Sequence, residues 1–175
     1  GRGGTINGQL YKGLETLQWR LGGTLKHYGD RRAPRYFLNN TGTRQAHANA
    51  ELHKQWNNTL EWEGKYNYFS AEYGIMRGSH IGNLTDLESA FSREVPFFTD
   101  SAFSYEIEAP RQWVQHHQLK SGLKKHTELG TLEWHIAGQR DQRREYDVRR
   151  SGRSDIPALS LLQYSIQNEV LWSND

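Results

Sequence analysis

Histidine is the residue type in this chain that most readily suggests chemistry, and His116, His117, His126 and His135 lie close together in its second half. Imidazole nitrogens are common zinc ligands. However, adjacent residues of a β-strand point to opposite faces, so His116 and His117 do not readily bind one ion. Neither the HExxH nor the CxxC spacing is present, and the chain has no cysteine. The sequence therefore predicts structural or interfacial histidines, with no metal site, no cofactor and no thiolate chemistry.

A pair of carboxylates, Glu106 and Glu108, is the next candidate for chemistry. Glycoside hydrolysis needs two carboxyl groups that face one sugar at a set separation, and one of them needs a raised pKa. Nothing in the sequence provides the second partner. An all-β hydrolase is thus a hypothesis without a catalytic pair, and we expect no enzyme and no catalytic residue.

An arginine-dense segment, 140–153, could bind phosphate, nucleic acid, an anionic cargo or the phosphates of lipopolysaccharide. Acidic residues lie within it and just after it: Asp141, Glu145, Asp147 and Asp155. Mixed charges favour salt-bridged packing over a field of one sign. The net charge of +2 and the pI near 8.8 are too balanced to indicate a nucleic-acid partner.

The elements that position these residues are predicted to be strands. In the run Leu129–Gln139, Leu132, Trp134 and Ile136 share one face, and polar residues occupy the other. Only 35% of residues are hydrophobic, yet 12% are aromatic. A soluble β-sandwich needs many Val, Ile and Leu, whereas a membrane barrel needs a thin apolar outer band and tolerates a polar interior. The composition thus favours an all-β, antiparallel transmembrane β-barrel segment of about seven strands.

The connections between these strands alternate in length. Those near residues 12–14, 57–58 and 124–128 are short, and those predicted over 29–43, 77–112 and 140–157 are long. In outer-membrane barrels the short turns are periplasmic and the long loops are extracellular. The pattern therefore predicts strands 14–28, 59–76 and 129–139 running outward.

Several local features accompany this plan. Asn57-Asn58 is predicted to form a tight turn with positive φ. A phase change within 59–76 indicates a β-bulge or a strand that has left the bilayer. Leu84–Phe91 is predicted to be a short helix with Thr85 as its N-cap.

The two faces receive different roles. The apolar face carries residues expected in the interfacial aromatic belts: Trp19, Trp56, Trp62, Trp134 and Trp172. The polar face carries residues expected to line a lumen and to hold a plug: Arg20, Glu61, Lys65, Glu133, His135 and Gln167.

Two runs, GSHIGNLTDLESAFSREVPFFTDSAFSYEIEAPRQ (78–112) and QRREYDVRRSGRSDIPALSL (142–161), resemble TonB-dependent outer-membrane receptors, particularly those of Bacteroidetes-type bacteria. In that family a long outer loop ends near Ala-Pro-Arg-Gln before an inward strand. A later loop carries Arg-Arg-x-Tyr/Phe-Asp-x-Arg-Arg followed by Asp-Ile-Pro-Ala-Leu. The resemblance covers the second half of the chain by motif and the first half by pattern.

The resemblance implies a plugged outer-membrane barrel of about 22 strands, of which this chain is roughly a third. It implies uptake of a scarce nutrient of the iron-siderophore, haem, cobalamin or glycan class. The implied partners are outer-membrane lipid and lipopolysaccharide, the rest of the barrel with its plug, the TonB complex and a surface lipoprotein. The family's plug domain and TonB-contacting segment do not occur in this sequence. We therefore expect it to be a segment of a longer polypeptide, with unpaired edge strands prone to aggregation.

Residues of the long loops are the candidates for cargo binding: Tyr36, Arg77, His80, Phe97, Phe98, Trp113, Arg149 and Arg150. The alternative hypothesis is a soluble all-β module that binds carbohydrate or another ligand through loop aromatics. The cargo and the oligomeric state are left open by the sequence.

Overall fold

A computed structural model describes residues 2–76, 83–97, 99–148 and 157–174, the last range by its backbone alone. Strands make up 68% of the chain and are accompanied by one short helix, so the protein is all-β as predicted. Seven long strands form one sheet: β1 (Gly3–Gly13), β2 (Leu17–Tyr28), β5 (Thr43–Asn57), β6 (Leu60–Gly74), β8 (Arg111–Thr127), β9 (Gly130–Val148) and β10 (Pro157–Asn174). The remaining elements are β3 (Arg31–Arg32), β4 (Phe37–Leu38), α1 (Leu84–Ser92) and β7 (Thr99–Asp100).

The large sheet is an antiparallel meander in the order β1-β2-β5-β6-β8-β9-β10, and it is not closed. The short connections after β1, β5 and β8 all lie at one end of the sheet, which we call the turn end. The long connections after β2, β6 and β9 lie at the opposite end, which we call the loop end. In the long connections β3, β4 and β7 form a small antiparallel sheet of their own. The structure thus contains the predicted alternation of connection lengths.

The strands near the loop end are longer than the sequence pattern suggested. Strand β9 runs to Val148, and Arg140 to Tyr146 pair with β8 in continuous register, so the first half of the loop predicted over 140–157 is strand. Strand β8 begins at Arg111 and continues to Thr127, so Trp113 lies in a strand and the predicted turn at 124–128 is shorter. The polar composition of these strand ends concealed them, because a strand paired on both sides needs no apolar face.

The phase change predicted within β6 is real, but no bulge accompanies it. Strand β6 pairs with β8 without a shift from Leu60 to Gly74. The shift of the β5–β6 register lies instead between Gln55 and Asn57, beside the turn. The apolar residues of β6 therefore change from one face of the sheet to the other as the strand approaches the loop end.

The β5–β6 turn does not use a positive φ. Among the described residues the one non-glycine residue with positive φ is Asn40, at 58°. At the turn the Asn57 side chain accepts hydrogen bonds from the Thr59 amide at 2.9 Å and from its hydroxyl at 2.8 Å. Asparagine forms this turn through its side-chain oxygen, so the predicted backbone conformation is wrong although the turn is present.

The predicted helix forms and begins at Leu84 as predicted, but its N-cap lies two residues before the predicted Thr85. Asn83 is its N-cap and accepts from the amide of Asp86 at 2.8 Å. Asparagine is among the best N-cap residues, so it displaces Thr85 from the predicted role.

Asn40 joins the long connections to the sheet. Its side-chain amide donates to the carbonyl oxygens of Ile75 at 3.0 Å and Pro110 at 2.8 Å, and its oxygen accepts from the amide of Glu108 at 2.8 Å. A side chain on Gly74 would stand 2.5 Å from the Asn40 carbonyl oxygen, so this residue must be glycine. These contacts fix the loop end of β6 to segments on both sides.

Within the described residues, no helix has the length and apolar character needed to cross a membrane.

Candidate functional site

The main sheet has two faces of opposite character. Residues that stand directly opposite on paired strands share a face, so the strand registers assign every described side chain to one of them. On one side, the apolar face, large hydrophobic side chains remain 36–75% exposed. They are Ile6, Leu10, Leu21, Leu25, Leu52, Tyr66, Leu119, Leu132, Trp134 and Ile136. Monomeric soluble proteins rarely expose contiguous apolar patches of such extent, so this face is the candidate functional surface of the sheet.

The opposite, polar face is covered by ion pairs between neighbouring strands. Arg20 lies 3.7 Å from Glu51, and Lys124 lies 2.8 Å from Glu133. Four further pairs occupy this face: His53–Glu61, Lys65–Glu63, His135–Glu133 and His116–Asp141. The described residues predicted to line a lumen all lie here, and Gln167 belongs to a strand whose side chains are not described. Exposed ion pairs of this kind contribute little to stability. Their charged groups remain accessible, so the face is suited to contact with water or with polar groups.

Aromatic side chains on the apolar face place their polar atoms against partners within that face. The Trp62 indole donates to the Ser121 hydroxyl at 2.8 Å, and its ring lies over Gly64, where a side chain would approach within 2.7 Å. The Tyr66 hydroxyl is 2.8 Å from Nδ1 of His117. A surface in contact with water would not need these internal partners, whereas one in contact with an apolar phase does.

Replacing Ser121 with Ala is expected to lower the free energy of unfolding by about 1 kcal/mol, because the Trp62 N–H loses its acceptor. The measurement is urea unfolding of the folded protein. Trp62→Phe removes the same N–H, so Ser121→Ala in that background should have almost no further effect. Equal costs of Ser121→Ala in the two backgrounds would contradict the assigned hydrogen bond.

Lysines border the apolar face at its turn end. They do not share one row, where a row is a line of residues that stand opposite one another on successive paired strands. Lys12 of β1 stands in the row of Trp19 and Leu52. Lys54 of β5 lies one row nearer the turn end, and Lys125 of β8 lies one row nearer again. This border therefore moves two rows, or about four residues, over four strand-to-strand steps.

The border at the loop end moves in the same direction. His27 of β2 and Arg44 of β5 share one row. Ser70 of β6 lies one row nearer the turn end. The row that joins His117 and Arg140 lies one row nearer the turn end again. Between the two borders lies an oblique apolar strip, which we call the apolar band. It moves by about one residue for each strand crossed.

Beyond the band, the loop end of the apolar face is polar and hydrogen-bonded. Glu72 lies 3.1 Å from Arg111 and 3.7 Å from Arg44. Arg44 also donates to the carbonyl oxygen of Tyr105 at 3.2 Å. The ring of Tyr105 lies 4.9 Å from that of His27, so the connection before β8 folds back onto this face.

Comparisons with known proteins identified no matching family model, curated protein or solved structure. The function of this chain must therefore be argued from its own residues.

Three of the predicted cargo residues are described, and the structure does not bring them together. Tyr36 lies half-buried between β3 and β4, where its carbonyl oxygen accepts from Ala33 at 2.9 Å. Phe97 follows α1, and the Arg93 guanidinium lies 3.4 Å from its ring centre. Trp113 lies on the apolar face of β8 beneath Arg144. The other five lie outside the described residues: Arg77, His80, Phe98, Arg149 and Arg150.

The histidines take the separate positions that the strand pattern predicts. His116 contacts Asp141 on the polar face, whereas His117 lies on the apolar face between Tyr66 and Tyr68. In the described part of the chain, no group of three His, Asp or Glu side chains is arranged to hold a metal ion. The described arginines of the 140–153 segment pack locally: Arg143 contacts Glu145 and Arg144 stacks on Trp113.

Sequence reasoning missed the residues that hold the loop end together. Asp30 is 2% exposed and accepts from the amide of Thr41 at 3.1 Å. Phe103 contacts Phe37 and Tyr105 edge-on, at ring distances of 5.5 and 4.7 Å. The Asp30–Thr41 and Phe37–Phe103 contacts join different segments of the chain, so periodicity within one segment gives no signal for them.

Proposed function

We propose that this chain forms part of the wall of an outer-membrane barrel and that the barrel belongs to a receptor of the TonB-dependent class. The receptor takes up a scarce nutrient of the iron-siderophore, haem, cobalamin or glycan class. In this proposal the apolar band contacts lipid and the polar face lines the lumen. The chain's part in uptake is passive, because it provides the wall and the outer loops.

The oblique course of the apolar band is the observation that carries this proposal. A bilayer is a flat slab, so its borders cross a tilted sheet obliquely. A shift of about 3.4 Å per strand over a strand spacing of about 4.8 Å corresponds to a tilt of about 35°. Strands of membrane barrels tilt by about 35–45°. A protein partner of arbitrary shape has no reason to give two parallel borders at this angle.

The distribution of charge supports the same orientation. The ion pairs of the polar face suit a lumen filled by water or by a plug, where each lumen-facing charge keeps a hydrated or paired environment. The lysines at the turn-end border can extend their ammonium groups toward lipid headgroups while their alkyl chains stay in the apolar layer. The long connections then lie at the cell surface, where cargo arrives.

The soluble binding module is less well supported. A soluble sheet of this kind would cover its apolar face with a second layer. The described segments that fold over this face, around Tyr105, reach its loop end and leave the exposed residues of the central band uncovered.

Two residues of one row test the tilt directly. Ala46 of β5 is paired with Ser70, Ser70 with Gln115, and Gln115 with Gln142 of β9. Ala46 and Gln142 therefore stand at the same level of the sheet. A tilted strand places Ala46 within the lipid and Gln142 near the outer headgroups. Because the chain has no cysteine, Ala46→Cys and Gln142→Cys each accept a single nitroxide label in the native polypeptide within outer membranes.

The expected result is that dissolved oxygen relaxes the label at Ala46 more strongly, whereas a water-soluble nickel reagent relaxes the label at Gln142 more strongly. Equal responses at the two positions would contradict the tilt. Strong nickel relaxation at both, with a protein that stays in the soluble fraction without detergent, would favour the binding module.

A further inference from the structure

We infer that the connection between β2 and β5 binds a calcium ion at Asp30, which the turn 38–41 encloses. The inference goes beyond the proposed function, because it concerns the loop end and does not depend on what contacts either face of the sheet. Three observations carry it: a buried carboxylate without a cationic partner, a buried carboxamide oxygen without a donor, and a turn that brings further oxygen atoms to the same place.

Asp30 is the one buried polar or charged side chain among the described residues, at 2% exposed. Its Oδ1 atom accepts from the amide of Thr41 at 3.1 Å. In the part of the chain that the structure describes, the carboxylate takes part in no ion pair. A buried carboxylate is costly unless a cation or several hydrogen bonds compensate its charge. One amide donor leaves most of that cost uncompensated.

The nearby arginines do not compensate this charge. The Arg2 guanidinium carbon lies 5.3 Å from the ring centre of Phe103, and that of Arg32 lies 5.9 Å from the ring centre of Phe37. Arg31 is exposed. Compensation therefore comes either from a proton on the carboxyl group or from a cation taken up from solution.

The turn after β4 adds oxygen atoms that favour the cation. Arg31 is paired with Leu38, so Asp30 and Asn39 flank the same pair on opposing chains. Oδ1 of Asn39 is buried and accepts no hydrogen bond. The Thr41 hydroxyl accepts from the amide of Arg31 at 2.8 Å and donates to the carbonyl oxygen of Leu38 at 2.7 Å, which leaves it a lone pair. A proton on Asp30 would provide one donor, whereas a metal ion satisfies several oxygens at once.

The types of oxygen select the metal. Carboxylate, carboxamide, hydroxyl and carbonyl oxygens are ligands of Ca²⁺, which takes about six to eight of them in flexible geometry. Mg²⁺ needs near-ideal octahedral geometry and keeps several waters, so a turn of mixed, mostly neutral oxygens favours calcium. With one carboxylate the site belongs to the weak class, with dissociation constants of about 10⁻⁴–10⁻³ M. Such a site does not require the group of three His, Asp or Glu side chains that the described residues lack.

The position of Asp30 gives the ion a structural effect. The amide of Asp30 donates to the carbonyl oxygen of Ser104 at 2.9 Å, and the amide of Gly29 donates to that of Arg2 at 2.9 Å. Asp30 therefore lies where the connection between β2 and β5 meets the segment before β8. Calcium bound there determines how firmly the long connections are held together.

The test uses the native polypeptide purified from outer membranes in mild detergent and freed of divalent cations with EDTA. Hydrogen–deuterium exchange of peptides covering residues 29–42 is measured with calcium, with magnesium and with neither. The variants are Asn39→Asp and Asp30→Asn, which keeps an oxygen acceptor for the Thr41 amide but removes the charge. Asp100→Asn is the matched control, because Asp100 is an exposed acidic residue of the same small sheet.

Calcium at about 10 mM is expected to slow this exchange by about 10- to 100-fold, the factor that follows from dissociation constants of that class. Asp30→Asn should abolish the effect, and Asp100→Asn should leave it unchanged. Without calcium, Asp30→Asn should exchange more slowly than the unaltered protein, because an uncompensated buried charge is removed. Asn39→Asp should tighten calcium binding by about tenfold or more, since each added carboxylate ligand raises the affinity.

The comparison with and without calcium on the unaltered protein does not depend on any variant folding. Exchange that does not respond to calcium would overturn the inference and assign Asp30 a proton or a water molecule instead. Equal slowing by magnesium at the same concentration would overturn the assignment to calcium. A calcium effect that persists in Asp30→Asn would place the ion elsewhere. None of these results bears on the proposed function, which the location of the protein in the outer membrane tests separately.

Discussion

With the apolar band in lipid, as proposed, replacing Trp134 with Arg is expected to make folding into the membrane less favourable by about 2–4 kcal/mol, the cost of arginine at the midplane of a barrel's lipid face. Trp134 is 47% exposed in the middle of the apolar run of β9, between Leu132 and Ile136. The guanidinium would have to leave the lipid by extending along the strand, and apolar residues lie on both sides of it. The urea concentration at which the protein loses its compact form on cold electrophoresis measures the change.

The matched control is His135→Arg, one residue along the same strand. His135 lies on the polar face with Nε2 3.7 Å from Glu133, so an arginine there keeps an acidic neighbour. Its expected cost is less than about 1 kcal/mol, as for other exposed charged positions. Equal costs at the two positions would show that the faces are assigned wrongly, and so would a reversed order.

Replacing Asn40 with Ala is expected to open the loop end locally at a cost of about 3 kcal/mol, because three hydrogen bonds of about 1 kcal/mol each are lost. The backbone groups of Ile75, Glu108 and Pro110 lose their partner at once. Hydrogen–deuterium exchange of peptides covering residues 29–42 and 99–111 measures the opening. Exchange there should become roughly a hundredfold faster while the centre of the sheet is unchanged.

Asn40→Gly distinguishes the effect of losing the side-chain hydrogen bonds from the effect of straining the backbone. Asn40 has φ of 58°, which glycine adopts freely and alanine does not. Asn40→Gly should therefore cost less than Asn40→Ala but still lose all three side-chain bonds. If Asn40→Gly exchanged as slowly as the unaltered protein, the side-chain contacts would be shown to contribute little.

The sequence predicted well wherever one face of a strand differs from the other. Alternation identified the strand around Trp134, and the lengths of the connections indicated that all long ones lie at one end. These signals are local, since each depends on residues within one segment or on the spacing between segments. The all-β class and the count of seven long strands follow from them.

Alternation failed where both faces are polar. The segment from Arg140 to Val148 looks like a loop because it is rich in charge, yet it pairs with β8 as strand. Trp113 likewise looks like a loop residue because polar residues precede it, yet it lies in β8. In these strand ends the backbone hydrogen bonds of a paired neighbour decide the structure, and side-chain hydrophobicity carries no information about them.

By itself the sequence determined the type of each strand, its apolar and polar sides, and the alternation of short turns and long connections, because these follow from the period of two along a strand. The tertiary structure alone decided the register between strands. Register is a relation between distant segments, and a shift of two residues leaves every local pattern unchanged. The oblique apolar band depends on that relation, and the contacts of Asn40 likewise join segments distant in the chain.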